Sequence, residues 1–178
     1  MRYTETPLAG AFVIDLEKIE DERGFFSYLF ESTGAAKHGL RTEIVQMKLS
    51  SNKFKGTLRG MHLQRPPMEE AKLVRCIRGA VWDVIVDLRT DSPTYRQHFG
   101  VELSASNHRA LYVPYLFAHG YQTLTDDSEV MYQVDRPYSP THEMGFRHDD
   151  PALKIAWPLA VSQISPKDQA WPLIEPLR

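Results

Sequence analysis

The stretch from residue 80 to residue 88 constrains the fold more than any other part of the chain. Ala80, Trp82, Val84, Val86 and Leu88 alternate with Val81, Asp83, Ile85 and Asp87, so one face is wholly apolar and the other mixed. A period of two is the signature of a strand whose apolar face meets a core, because a helix would scatter the same residues around its circumference. Gly79 before it and Thr90-Asp91-Ser92-Pro93 after it supply turn punctuation.

Similar short runs recur at 11–16, 42–49, 57–63, 72–77, 98–103, 110–113, 118–124 and 129–134, many of them separated by Gly, Pro, Asn or Asp. Regularly spaced short strands of this kind predict an all-β antiparallel sandwich or barrel. Helix is scarce: 31–38 is one candidate, stopped by Gly39, and 104–108 a single turn. The proline-rich residues from Pro137 onward are expected to wrap the outside. With 178 residues and no repeat or linker, one domain is expected.

Charge narrows the function. Twenty-one basic and twenty-three acidic residues leave a net charge of −2, so no global field draws the chain to nucleic acid or to a membrane. An anionic ligand must be gripped by a local cluster of Arg and Lys. Cys76 is the only cysteine and lies in an apolar run, which reads as a buried hydrophobe and favours a reducing, cytoplasmic setting. The apolar residues 8–14 sit between Glu5 and Asp15 and read as a first strand, not a signal core.

Arg59, His62, Gln64, Lys72, His119 and Tyr132 all fall in or beside strand-like runs. Alternate strand positions point into a barrel, so polar groups from several strands can converge there. Leaving such groups buried without partners costs about 1–3 kcal/mol each, which argues for a ligand or a hydrogen-bonded network.

Ordered motifs add a likeness. They are Asp21-Glu22-Arg23-Gly24-Phe25-Phe26, Gly56-Thr57-Leu58-Arg59-Gly60-Met61-His62-Leu63-Gln64, Lys72-Leu73-Val74-Arg75-Cys76 and Asp83-Val84-Ile85-Val86-Asp87-Leu88-Arg89. Phe117-Ala118-His119-Gly120, Tyr132, Asp149-Asp150-Pro151 and Ile155-Ala156-Trp157-Pro158 follow. Together they resemble the nucleotide-sugar 3,5-epimerases, which are cupin-type jelly rolls. Three positions depart from that pattern: Lys48 stands near a usual Asn, Leu116 replaces a usual Gly, and His148 replaces a Trp or similar residue.

The resemblance implies inversion of C3, C5 or both in a dTDP-linked 4-keto-6-deoxy sugar, without a cofactor, by a homodimer whose N-terminal strands are exchanged. Such a reaction needs a base, an acid across the ring and a cation for the enolate oxygen. His62 matches the base and Asp150 the carboxylate partnered with it, with Asp149 beside it as a turn cap. Tyr132 matches the acid, a phenol that stays protonated until a carbanion develops. Lys72 and Arg59 are expected on the C4 oxygen, and His119 in the same cavity. Arg23 is expected at the diphosphate of the partner's site, Phe26 and Tyr138 at the nucleotide base, and Gln46 among the substrate contacts. Asp83 is a candidate support for His62 or Lys72.

Two rival readings remain at this level. A metal cupin would draw on His62, Glu69 or Glu70, and His119, although Gln64 replaces the second histidine of a His-x-His pair and is a poor ligand. A sugar-binding cupin without turnover would have lost its acid or base.

Overall fold

The computed structural model describes residues 1–174. Its elements in chain order are β1 (Arg2–Glu5), β2 (Phe12–Asp15), β3 (Ile19–Asp21), β4 (Gly24–Phe26), α1 (Ser32–Lys37), β5 (Gln46–Asn52), β6 (Thr57–Gln64) and β7 (Lys72–Arg78). Then come β8 (Ala80–Asp87), β9 (His98–Ser104), β10 (Ala110–Val113), β11 (Phe117–Thr123), β12 (Ser128–Val134), β13 (Glu143–Gly145), β14 (Gln163–Ile164) and α2 (Pro166–Gln169). One sheet runs β1-β2-β10-β7-β12-β5, and the other β13-β6-β11-β8-β9 with β14 beside β6. All these pairings are antiparallel except β14 on β6. The two sheets face each other as a cupin-type jelly roll. Residues 104–108 form a turn without a helix, and β1 and the β3–β4 hairpin were not anticipated from the pattern.

The core between the sheets joins Val74, Cys76, Leu111, Val113 and Val130 of one sheet to Val81, Ile85, Leu103 and Phe117 of the other. Val81 and Ile85 belong to the mixed face of β8, so the face turned inward is the one that carries Asp83. The wholly apolar face, with Val84 and Val86, packs outward against Met61, Leu63, Leu153 and Ile174, and Trp82, Leu88, Phe146, Ile155 and Trp157 join them. The tail after Pro137 is therefore more than a wrapping: it completes a second core, adds β13 and β14 to β6, and contributes α2. On the far side, α1 and its flank place Ala35 and Leu40 over Phe12, Ile14 and Tyr112.

β6 contains the irregularity that shapes the interior. His62 pairs with His119 and Arg59 with Tyr121, so three steps along β6 match two along β11. This bulge lets two residues of opposite parity, Arg59 and His62, face the same side. Gly60 makes it possible: its φ is +129°, and a Cβ there would lie 2.6 Å from Gly120 Cα.

Candidate active site

One cavity of about 300 Å³ opens between the sheets. β6 lends it Arg59 and His62, β11 His119 and Tyr121, and the facing sheet Lys48, Lys72 and Tyr132. Tyr138, Glu143, Lys167 and Asp168 of the C-terminal part complete its lining. Five of the residues singled out from sequence for chemistry or substrate, namely Arg59, His62, Lys72, His119 and Tyr132, thus share one chamber, with Tyr138 at its rim.

Asp150 does not partner His62. Its side chain is buried, Oδ1 accepting from Ala152 N at 2.8 Å and Oδ2 from Ile174 N at 2.5 Å. An aspartate that takes up the amide two residues on is turn chemistry, and that turn consumes its acceptors. The carboxylate on His62 is Asp168, whose Oδ1 lies 2.6 Å from Nε2. Ser165 caps α2 by accepting from Asp168 N at 3.0 Å, with Pro166 in the first turn, which leaves the Asp168 side chain free to reach β6. Ser165-Pro166-Lys167-Asp168 is a legible helix start, but nothing in it marks the aspartate as the partner of His62. Burial resists ionisation of Asp168, but the His62 hydrogen bond and charge, Gly60 N–H and Ser165 outweigh it and hold its pKa below the usual 3.8. In the tautomer that carries its proton on Nε2, His62 donates to Asp168 and Nδ1 is the nitrogen left to accept a proton.

The second histidine is held in the same way. His119 Nε2 lies 3.0 Å from both oxygens of Asp83, which is fully buried. Asp83 therefore supports His119 directly, and neither His62 nor Lys72 bonds to it. The Lys72 ammonium donates to His62 O at 3.3 Å and pairs with Glu70 Oε1 at 3.4 Å. Burial depresses its pKa below the usual 10.5, against the pull of Glu70. Burial also raises the Tyr132 phenol above 10.0, and nearby Tyr121 and Glu70 add to this. Arg59 is oriented by Asn52 Oδ1 at 2.7 Å and Ser51 O at 3.3 Å.

Gln46 does not line this cavity; its Oε1 accepts from Tyr138 N at 3.2 Å and so anchors a rim residue. Arg23 and Phe26 are likewise absent from it. Both lie in the β3–β4 hairpin, which pairs with neither main sheet; Arg23 is folded onto Asp21 at 2.5 Å, and Phe26 is exposed. Of the three departures, Lys48 is inside the cavity, Leu116 adopts φ +62°, and His148 lies away from the chamber. Glu143 and Lys167 were missed as site residues, and Glu70 was considered only as a ligand in the rival metal reading, because nothing in their local spacing distinguishes them from surface charge. Gln64 is committed to structure, donating to Met68 O at 2.8 Å and Pro137 O at 3.2 Å. Among the described residues, no three His, Cys, Asp or Glu side chains converge as a metal ion requires.

Two carboxylate-held histidines, a buried ammonium and a phenol inside a jelly roll define a proton-transfer isomerase site of the sugar-epimerase type. A family model described as dTDP-4-dehydrorhamnose 3,5-epimerase matches residues 5–176. The chain belongs to that family. It is 41% identical over 180 residues to the dTDP-4-dehydrorhamnose 3,5-epimerase of Methanothermobacter thermautotrophicus, covering 99% of this chain and 95% of the relative. The crystal structure of the Bacillus anthracis dTDP-4-dehydrorhamnose 3,5-epimerase, with TDP and pyrophosphate bound, superposes with a TM-score of 0.93 at 40% identity, over 97% of this chain and 99% of that one. The Legionella pneumophila dTDP-6-deoxy-D-glucose-3,5-epimerase, solved with dTDP-4-keto-L-rhamnose, gives 0.90 at 37% identity, over 97% and 92%. Among the described residues, no helix is long and apolar enough to cross a membrane.

Proposed function

We propose that the protein inverts C3 and C5 of a dTDP-linked 4-keto-6-deoxy sugar, in deoxysugar biosynthesis of the rhamnose type. One observation carries the residue roles: His62 of one sheet, paired with Asp168 of α2, and Tyr132 of the other sheet border a single cavity with Lys72. A sugar ring between the sheets offers one face to the imidazole and the opposite face to the phenol. His62 takes the proton next to the ketone, and Asp168 stabilises the imidazolium that results. Lys72, with Arg59 and His119, holds the oxyanion of the enolate. Tyr132, kept protonated by its burial, returns a proton from the other side. The step needs no electron transfer.

Residues 1–178 act as a single jelly-roll domain in the cytoplasm, as a homodimer. Exposed Ile19, Phe25, Phe26 and Tyr28 on and beside the hairpin support a partner surface there. Exchange of this region would carry Arg23 to the diphosphate and Phe26 to the base of the neighbouring site, opposite Tyr138. Incubation of dTDP-4-keto-6-deoxyglucose in D₂O, followed by NMR, is the test. Deuterium at C3 and C5 is expected, and its absence from both carbons would remove the reading. Tyr132→Phe is expected to harm epimerisation more than exchange, because abstraction survives while the returning proton is lost.

A further inference from the structure

Of the three lysines that line the cavity, Lys48 and Lys72 have a single carboxylate between them. Glu70 Oε1 lies 3.4 Å from Lys72 Nζ, and Glu70 Oε2 lies 4.0 Å from Lys48 Nζ. Glu70 and Lys72 side chains are only 8% and 7% exposed, against 26% for Lys48. Oε2 is buried and makes no hydrogen bond to the protein, so the Lys48 ammonium is the charge it answers. Lys48 in turn lies over two rings, 5.7 Å from the centre of Tyr132 and 5.5 Å from that of Tyr138. It reaches this place because β5 and β12 pair with Tyr132 directly opposite Lys48.

We propose that Glu70 is a positioning residue of the epimerase site, whose bridging carboxylate allows Lys48 and Lys72 to be ammonium ions together inside one cavity. The inference rests on the reading that Lys72 meets the enolate oxygen. Two ammoniums that meet one carboxylate repel each other, and the more desolvated of them, Lys72, relieves the repulsion by giving up its proton. A neutral amine would then offer the developing oxyanion only a weak N–H donor and no positive charge. With Glu70 ionised the trio carries one net positive charge, the sign the enolate requires.

The other groups around Lys72 cannot substitute. Asp83 of β8 also favours its charged form but is held by both oxygens to His119 of β11. β6 contributes His62, whose carbonyl accepts from the ammonium while its ring is bound to Asp168, and Arg59, a further cation. β12 contributes Tyr132 and β11 Tyr121, both phenols, and β5 contributes the competing Lys48. Burial is the largest influence on Lys72 and Lys48 works in the same direction, so Glu70 is the main force opposing them.

The test is the titration of Lys72 in the folded protein without substrate, followed by NMR of ¹³Cε-lysine and assigned by the signal lost in Lys72→Met. Glu70→Gln keeps the shape and removes the charge, and should move the titration down by about one pH unit or more. Lys48→Met removes the competitor from a more exposed position and should move it up. Glu70→Asp, with the charge retained, should restore part of the first shift. The alkaline limb of kcat should follow Lys72 in each variant. Titrations that stay put in Glu70→Gln and Lys48→Met would overturn the proposal. Titrations that move while kcat is unchanged at every pH would support the role of Glu70 and remove Lys72 from the proposed chemistry.

Discussion

Replacing Asp168 by Asn isolates the contribution of the carboxylate on His62. The substitution keeps the volume and leaves an amide oxygen that can still accept from Nε2–H, so the ring orientation survives. What disappears is the negative charge that meets the imidazolium. Two unit charges about 4 Å apart interact by about 4 kcal/mol at an effective dielectric of about 20. The surviving hydrogen bond returns about 1 kcal/mol of that. A net loss of about 3 kcal/mol in the transition state corresponds to roughly a hundredfold fall in kcat, at about 1.4 kcal/mol per decade. The assay is deuterium wash-in at saturating substrate, with folding checked by circular dichroism. Asp150→Asn is the control: it sets an amide N–H against Ile174 N, should cost about 1–3 kcal/mol of stability, and should leave kcat near its original value. Wild-type kcat in Asp168→Asn, or an equal loss of kcat in Asp150→Asn, would refute the assignment. The pH dependence carries a sign as well. Since the folded pKa of Asp168 lies below 3.8, its contribution to stability is complete above that value and is lost as pH falls through the lower, folded one.

Gly60→Ala should destabilise by about 3 kcal/mol, since it sets a Cβ 2.6 Å from Gly120 Cα at φ +129°; an unchanged urea midpoint would contradict the account of the bulge. Asp87, bonded by Arg89 at 2.7 Å, Ser92 at 2.6 Å and Thr94 at 2.7 Å, has its pKa lowered to about 2 despite its burial. Asp87→Asn should therefore cost about 2 kcal/mol at neutral pH, a difference that shrinks as pH falls below 3.8 toward 2 and that thermal melts at the two pH values would measure.

Strand identity was legible locally, because alternation and turn residues act within a few positions of one another: the expected 72–77 is β7 at Lys72–Arg78, and the expected 80–88 is β8 at Ala80–Asp87. The ordered motifs carried the family, and with it Arg59, His62, Lys72, His119 and Tyr132 of the cavity lining. Tertiary structure alone decided which face of β8 turns inward. The wholly apolar face is covered by Leu153 and Ile174 from the tail, which leaves Asp83 inside to hold His119. It also decided that Arg59 and His62 share a side, since a bulge is a property of two paired strands. Asp150 and Asp168 are both plain aspartates in a proline-rich tail, and the choice between them depended on which one the folded tail delivers to β6. That contact spans 106 residues, beyond the reach of any local pattern, because only chain packing brings the two ends of it to 2.6 Å.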